Sequence, residues 1–102
     1  MLIKHITVTN RVAHYLQRDG YIICDNSDYT ITFTFDSEWE AHTTKTARFI
    51  WNGEYVDVTF NGNECPVPAI SNATEVIVGV FAGELSSTPV IIPCEKSIFC
   101  KS

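Results

Sequence analysis

Long apolar runs are missing from this chain. No stretch approaches the roughly 18 residues that cross a bilayer as a helix. The longest, Val76 to Ala82, has the length of a strand. Basic residues are few: seven Lys and Arg stand scattered against twelve Asp and Glu. The formal net charge is −5 and the pI about 5.0. Binding to a phosphate backbone rests on clustered cations that release counterions, so no nucleic-acid partner is expected. Attraction to an anionic membrane surface is not expected on the same ground. The N-terminus, Met1-Leu2-Ile3-Lys4-His5-Ile6, lacks the apolar core of a secretory leader, and the expectation is a protein made in the cytoplasm.

Motifs that carry chemistry are equally scarce. The four cysteines show no C-x-x-C spacing, and His5, His14 and His42 stand apart. Structural zinc sites draw on closely spaced pairs, and the five residues between Cys94 and Cys100 are not such a pair. There is no G-x-S-x-G elbow and no glycine-rich phosphate loop; Gly53, Gly62, Gly79 and Gly83 read as turns or strand breaks. A Cys–His pair meeting in space is possible, but lone cysteines in apolar runs usually pack as inert thiols. Glu38 and Glu40 flank Trp39 in a way that superficially suggests a sugar-processing carboxylate pair. The simpler reading is charge and capping at a short helical turn, with Trp39 as a lid on the core. No catalytic residue, cofactor or metal is expected. Asn72-Ala73-Thr74 matches a glycosylation acceptor and reads as accidental without a secretion signal. Cys24, Cys65 and Cys94 adjoin strand-like runs and read as buried free thiols. A Cys94–Cys100 bridge or an intermolecular bond stays open.

What is present is period two. The 102 residues are one domain's worth, 1–102, and 45% are apolar and 19% charged. A chain of this size buries between about 60 and 70% of its unfolded surface. In Tyr29-Thr30-Ile31-Thr32-Phe33-Thr34-Phe35 apolar residues alternate with threonine, the mark of a strand with one buried face. β-Branched threonine keeps even the polar face extended. Asn52-Gly53 joins 47–51 to 54–60 as a type I′ hairpin, because both turn residues accept positive φ. Val56, Val58 and Phe60 share one face there; Tyr55, Asp57 and Thr59 share the other. Asn61-Gly62 turns the chain toward Cys65-Pro66-Val67-Pro68, whose prolines suit a short edge segment. Glu75 to Ala82 is apolar on both faces and fits a central strand or one facing a partner, ended by Gly83. Val90 to Ile92, between prolines, reads as a blunted edge, and strands at 3–9 and 21–24 complete the set. Ser37 and Glu40 have capping-box spacing, so one helical turn is expected to cross between sheets. Val12, Tyr15 and Leu16 have helical spacing too short to decide. The count is about seven antiparallel strands with regular turn signals, the signature of a β-sandwich.

One ordered series reaches across nearly the whole chain, about residues 1–98. It runs Phe33-x-Phe35, Glu38-Trp39, Ala47-Arg48-Phe49, Cys65-x-Val67-Pro68 and Val78-Gly79-Val80-Phe81. The series resembles the N-terminal immunoglobulin-like modules of baseplate and receptor-binding (tail-fibre) proteins of phages that infect Gram-positive bacteria. The resemblance implies a sandwich that anchors a longer protein to a phage particle, without cofactor or catalysis. Such proteins usually continue into a shaft and a receptor-binding head where this chain stops. The expectation is therefore a free-standing virion structural protein, attached to tail or baseplate or decorating the capsid.

The residues agree with an assembly role. Ile77 and Phe81 exceed what one core needs, and surplus exposed apolar surface marks interaction sites. Trp51 and Tyr55 flank the Asn52-Gly53 turn, either as binding anchors or as a cross-strand aromatic pair, with the pair favoured. The expected partners are other virion proteins, in a homo-oligomer or symmetric array where repetition multiplies weak contacts. A function of another class is a small carbohydrate-binding module with Trp39, Trp51 and Tyr55 stacking on sugar.

Overall fold

The computed structural model describes residues 2–98. β1 (Leu2–Thr9) turns through Asn10 and Arg11, both at positive φ, into β2 (Val12–Tyr15). A 3-10 turn at Gln17–Asp19 leads to β3 (Ile22–Ile23) and β4 (Tyr29–Phe35). A second at Ser37–Trp39 leads to β5 (Thr44–Trp51). There follow β6 (Glu54–Asn61), β7 (Glu64–Pro66), β8 (Glu75–Ala82), β9 (Leu85–Ser86) and β10 (Val90–Glu95). One sheet has the order β2-β1-β4-β7. The other has the order β3-β10-β8-β5-β6, with β9 paired to β8.

The all-β class is as expected; the strand count and directions are not. About seven antiparallel strands become ten, and β1–β4 and β3–β10 pair in parallel. The segments expected at 21–24 and 65–68 are the short strands β3 and β7; the strands not read are β2 and the two-residue β9, too short to show a period. The parallel pairs join strands distant in sequence, so no local pattern announces them. The undecided stretch at Val12 to Leu16 is strand β2 followed by a 3-10 turn. Val90 to Ile92 is not at the edge: β10 lies between β8 and the two-residue β3, with Pro93 opposite Glu75.

The period-two strands behave as their patterns require. Tyr29, Ile31 and Phe33 of β4 are buried, and the threonines between them are not. Phe33 stacks on Phe60 of β6 in the other sheet, ring centroids 5.4 Å apart, and on Phe35 at 5.3 Å. On β8, Val76, Val78, Val80 and Ala82 point inward against this layer, while Ile77, Gly79 and Phe81 are half-buried on the outside. β8 is central, between β10 and β5. Asn52 and Gly53 have φ of 53° and 78°, the positive values that the type I′ turn demands. Cys65-Pro66 is indeed an edge segment, on the outer side of β4.

The helical turn does cross from one sheet to the other, but the Ser37/Glu40 capping box does not form. Asp36 is the N-cap, and no side chain caps the turn. Trp39 is 1% exposed and packs on Phe35 at 4.9 Å, which makes it the lid that its residue type suggested.

Two lysines occupy inward positions. Lys4 on β1 donates its Nζ to the Asp19 carbonyl and lies 5.4 Å from the Tyr29 ring. Lys45 on β5 donates to the Gly62 carbonyl at 3.0 Å and lies 4.8 Å over the Phe35 ring. Burial lowers both pKa values.

Phe33→Ala is expected to cost about 3–5 kcal/mol of unfolding free energy, as for large aromatics lost from a core. Thr34→Ala, on the exposed neighbour, should stay within about 0.5 kcal/mol. Urea titrations of the two variants against the parent chain check the contrast.

Candidate functional site

The Asn52-Gly53 turn sets the register of the β5–β6 hairpin, and that register decides which side chains share a face. Arg48 stands opposite Asp57, Ile50 opposite Tyr55 and Trp51 opposite Glu54. On the other side of β5, Ile50 faces Ile77, Arg48 faces Gly79 and Thr46 faces Phe81. Ile91 of β10 stands opposite Ile77. An apolar row, Ile91–Ile77–Ile50–Tyr55, therefore crosses the outer face of the six-stranded sheet. Its ends are open, Ile91 at 57% and Tyr55 at 60% exposure.

Beside that row lies Arg48. Its Nε and Nη2 donate to the two Asp57 carboxylate oxygens at 2.8 and 3.0 Å. Its guanidinium carbon sits 4.2 Å from the Tyr55 ring centroid and 5.6 Å from that of Phe81. A planar cation over aromatic faces is attracted by the ring quadrupole. Gly79, opposite Arg48, carries no side chain, and an added Cβ would meet only Ser87 Oγ at 3.8 Å. The hydrogen bonds raise the pKa of Arg48 and hold the Asp57 carboxyl below the usual carboxylate range. The pair's support is present above the ordinary carboxylate value and fades as pH falls through the lowered one. Salt screens it, because both groups are exposed.

Of the four residues singled out in the sequence, Tyr55, Ile77 and Phe81 share this outer face, and Trp51 does not. The favoured Trp51–Tyr55 cross-strand pair is absent from the hairpin, since the partners are Glu54 and Ile50. Side chains alternate along a strand, so residues 51 and 55 on paired strands of this register point to opposite faces. Trp51 and Tyr55 meet only at the rim of a hollow of about 310 Å³, with Asn52, Glu54, Val56 and Ser71. Asn52 Nδ2 donates to the Asn72 carbonyl at 2.9 Å, which ties the turn to the loop before β8. Arg48, Ile50 and Ile91 were missed. The signal for the first two was legible: in a two-residue hairpin, cross-strand partners are fixed by distance from the turn.

A second hollow, about 520 Å³, is lined by Arg11, Glu38, His42, Gly83, Glu84 and Leu85. Arg11 Nη2 bonds Glu38 Oε1 there at 3.0 Å, so Glu38 serves an ion pair more than a helix terminus. Trp39 is too buried to offer a sugar its ring face. His5 Nδ1 lies 2.8 Å from Asp19 Oδ2. Among the described residues no group of three or more His, Cys, Asp or Glu is placed to hold a metal ion. Cys24, Cys65 and Cys94 are buried free thiols; Cys100 lies outside the described residues. Burial pushes the Cys65 and Cys94 thiols up to about 12. No family model, curated protein or solved structure matches the chain.

At about pH 8, below the ordinary thiol range, Cys65 and Cys94 of the folded protein should resist iodoacetamide and react only on unfolding, as read by peptide mass. Raised thiol pKa values mean that stability is full below the unfolded value of 9.0 and falls as pH climbs toward 12. Urea midpoints over that range should fall less steeply in Cys65→Ala and Cys94→Ala than in the parent.

Proposed function

We propose that the chain is a non-catalytic assembly module of a bacteriophage particle, an immunoglobulin-like sandwich docked on the tail, baseplate or fibre. It is made in the host cytoplasm and joins other virion proteins in a symmetric array. The observation that carries this reading is the outer face of the six-stranded sheet. There the apolar row from Ile91 to Tyr55 lies beside an ion pair that is already satisfied within the chain. An apolar band with its charges internally paired suits packing against another protein surface. The Phe33-x-Phe35, Glu38-Trp39 and Val78-Gly79-Val80-Phe81 series supports the phage assignment by resemblance.

Mass spectrometry of washed, purified virions should find this chain. A copy number that is a small multiple of three or six supports tail attachment, and hundreds of copies would move the module to capsid decoration. Absence from washed particles would overturn the proposal. Ile91→Glu, at an exposed position where surface changes shift stability by within about 0.5 kcal/mol, should leave the fold intact and reduce incorporation. Glycan-array binding abolished by Trp51→Ala, with incorporation unchanged, would favour a carbohydrate-binding module instead.

A further inference from the structure

The sheet edges of this fold are unequal. β3 and β7 are edges of two and three residues, and β7 ends in Pro66. β2 has four residues. β6 has eight, pairs without interruption along β5, and contains neither proline nor bulge. Natural proteins usually blunt a long edge with proline, bulges or unpaired charge. The one acid in the middle of β6, Asp57, is instead held against Arg48.

The direction of the free backbone groups follows from one bond. Gly62 N–H donates to the Thr43 carbonyl at 2.9 Å, continuing the ladder in which Thr44 faces Asn61. Antiparallel partners alternate between hydrogen-bonded and non-bonded pairs. Glu54, Val56, Val58 and Phe60 therefore exchange bonds with β5. Tyr55, Asp57, Thr59 and Asn61 turn their N–H and C=O groups outward. The first half of β6 also extends past the cover of the opposite sheet: inward-facing Val56 is 39% exposed, beside the hollow rimmed by Trp51.

We infer that β6 pairs antiparallel with β6 of a second copy across a two-fold axis, centred on Val58. Side-chain chemistry chooses the register. A two-fold at Asp57 would set carboxylate against carboxylate, and like charges directly opposite are destabilising. A two-fold at Val58 sets Val58 on its own copy, Val56 on Phe60, Asp57 on Thr59 and Tyr55 on Asn61. The apolar side chains then meet on the inward side, and Val56 gains a neighbour. The Thr59 hydroxyl faces an acceptor. Every outward residue of β6 finds a backbone partner, for roughly eight inter-chain hydrogen bonds. A second copy fits because the same strand supplies both the donors and the acceptors that an isologous contact needs.

The pairing goes beyond the virion proposal and is tested without particles, so either can fail alone. Val58→Cys should form a disulfide-linked homodimer on mild oxidation. A non-bonded antiparallel pair brings Cα atoms to about 4.5 Å, within disulfide reach. Peptide mass should assign the link to 58–58, distinct from the native cysteines. Val56→Cys and Asp57→Cys should give no such self-link. Sedimentation of the unmodified chain should show a concentration-dependent dimer. Thr59→Pro removes an outward N–H that β5 does not use and should weaken dimerisation at least about tenfold, with circular dichroism unchanged. A monomer up to about 1 mM, or self-links at 56 or 57 in place of 58, would overturn the inference.

Discussion

The inward column of β4 is the constraint on which the remaining architecture depends. Tyr29, Ile31 and Phe33 are fixed on one side of the strand by strict alternation with threonine, and the rest of the core is arranged around them. β1 lies parallel on one flank and β7 antiparallel on the other. Phe33 reaches the opposite sheet through Phe60, and Phe35 receives Trp39. Burying large aromatic side chains supplies much of the apolar contact that holds so small a domain together.

The ends of that column are also where polar groups enter the interior. Lys4 is seated over Tyr29 and Lys45 over Phe35, each with one backbone carbonyl as acceptor. A buried ammonium is tolerated only when hydrogen-bonded; here the aromatic rings add a second attraction. The crossing turn is less complete. Asp36 Oδ2 accepts from Asn10 N–H at 2.8 Å, but Asp36 Oδ1 and Trp39 Nε1 are buried without a hydrogen-bond partner. Each such group lowers stability by its lost hydration, which makes this turn a weak point of the core.

The two surfaces assigned to assembly have one origin. The six-stranded sheet is wider than the four-stranded sheet it packs on, so its inner face suffices for the core while its outer face and its β6 edge remain open. The outer face presents the Ile91-to-Tyr55 row, and the edge presents unpaired backbone. Arg48 links them: lying between Tyr55 and Phe81, it holds Asp57 and leaves the middle of the edge without a free charge.

The amino-acid order by itself determined the alternating strand from Tyr29 to Phe35, the apolar strand from Glu75 to Ala82, and the Asn52-Gly53 hairpin with its register. That register already separated Trp51 from Tyr55, because partners in a two-residue hairpin follow from counting outward from the turn. Only the tertiary structure decided that β1 and β4 run parallel, that Lys4 and Lys45 point inward, and that β10 lies inside the sheet. It alone left the first half of β6 uncovered. The physical reason is range. Alternation and turn chemistry act between near neighbours in the chain, whereas these features depend on which distant strand arrives alongside and how far its cover extends.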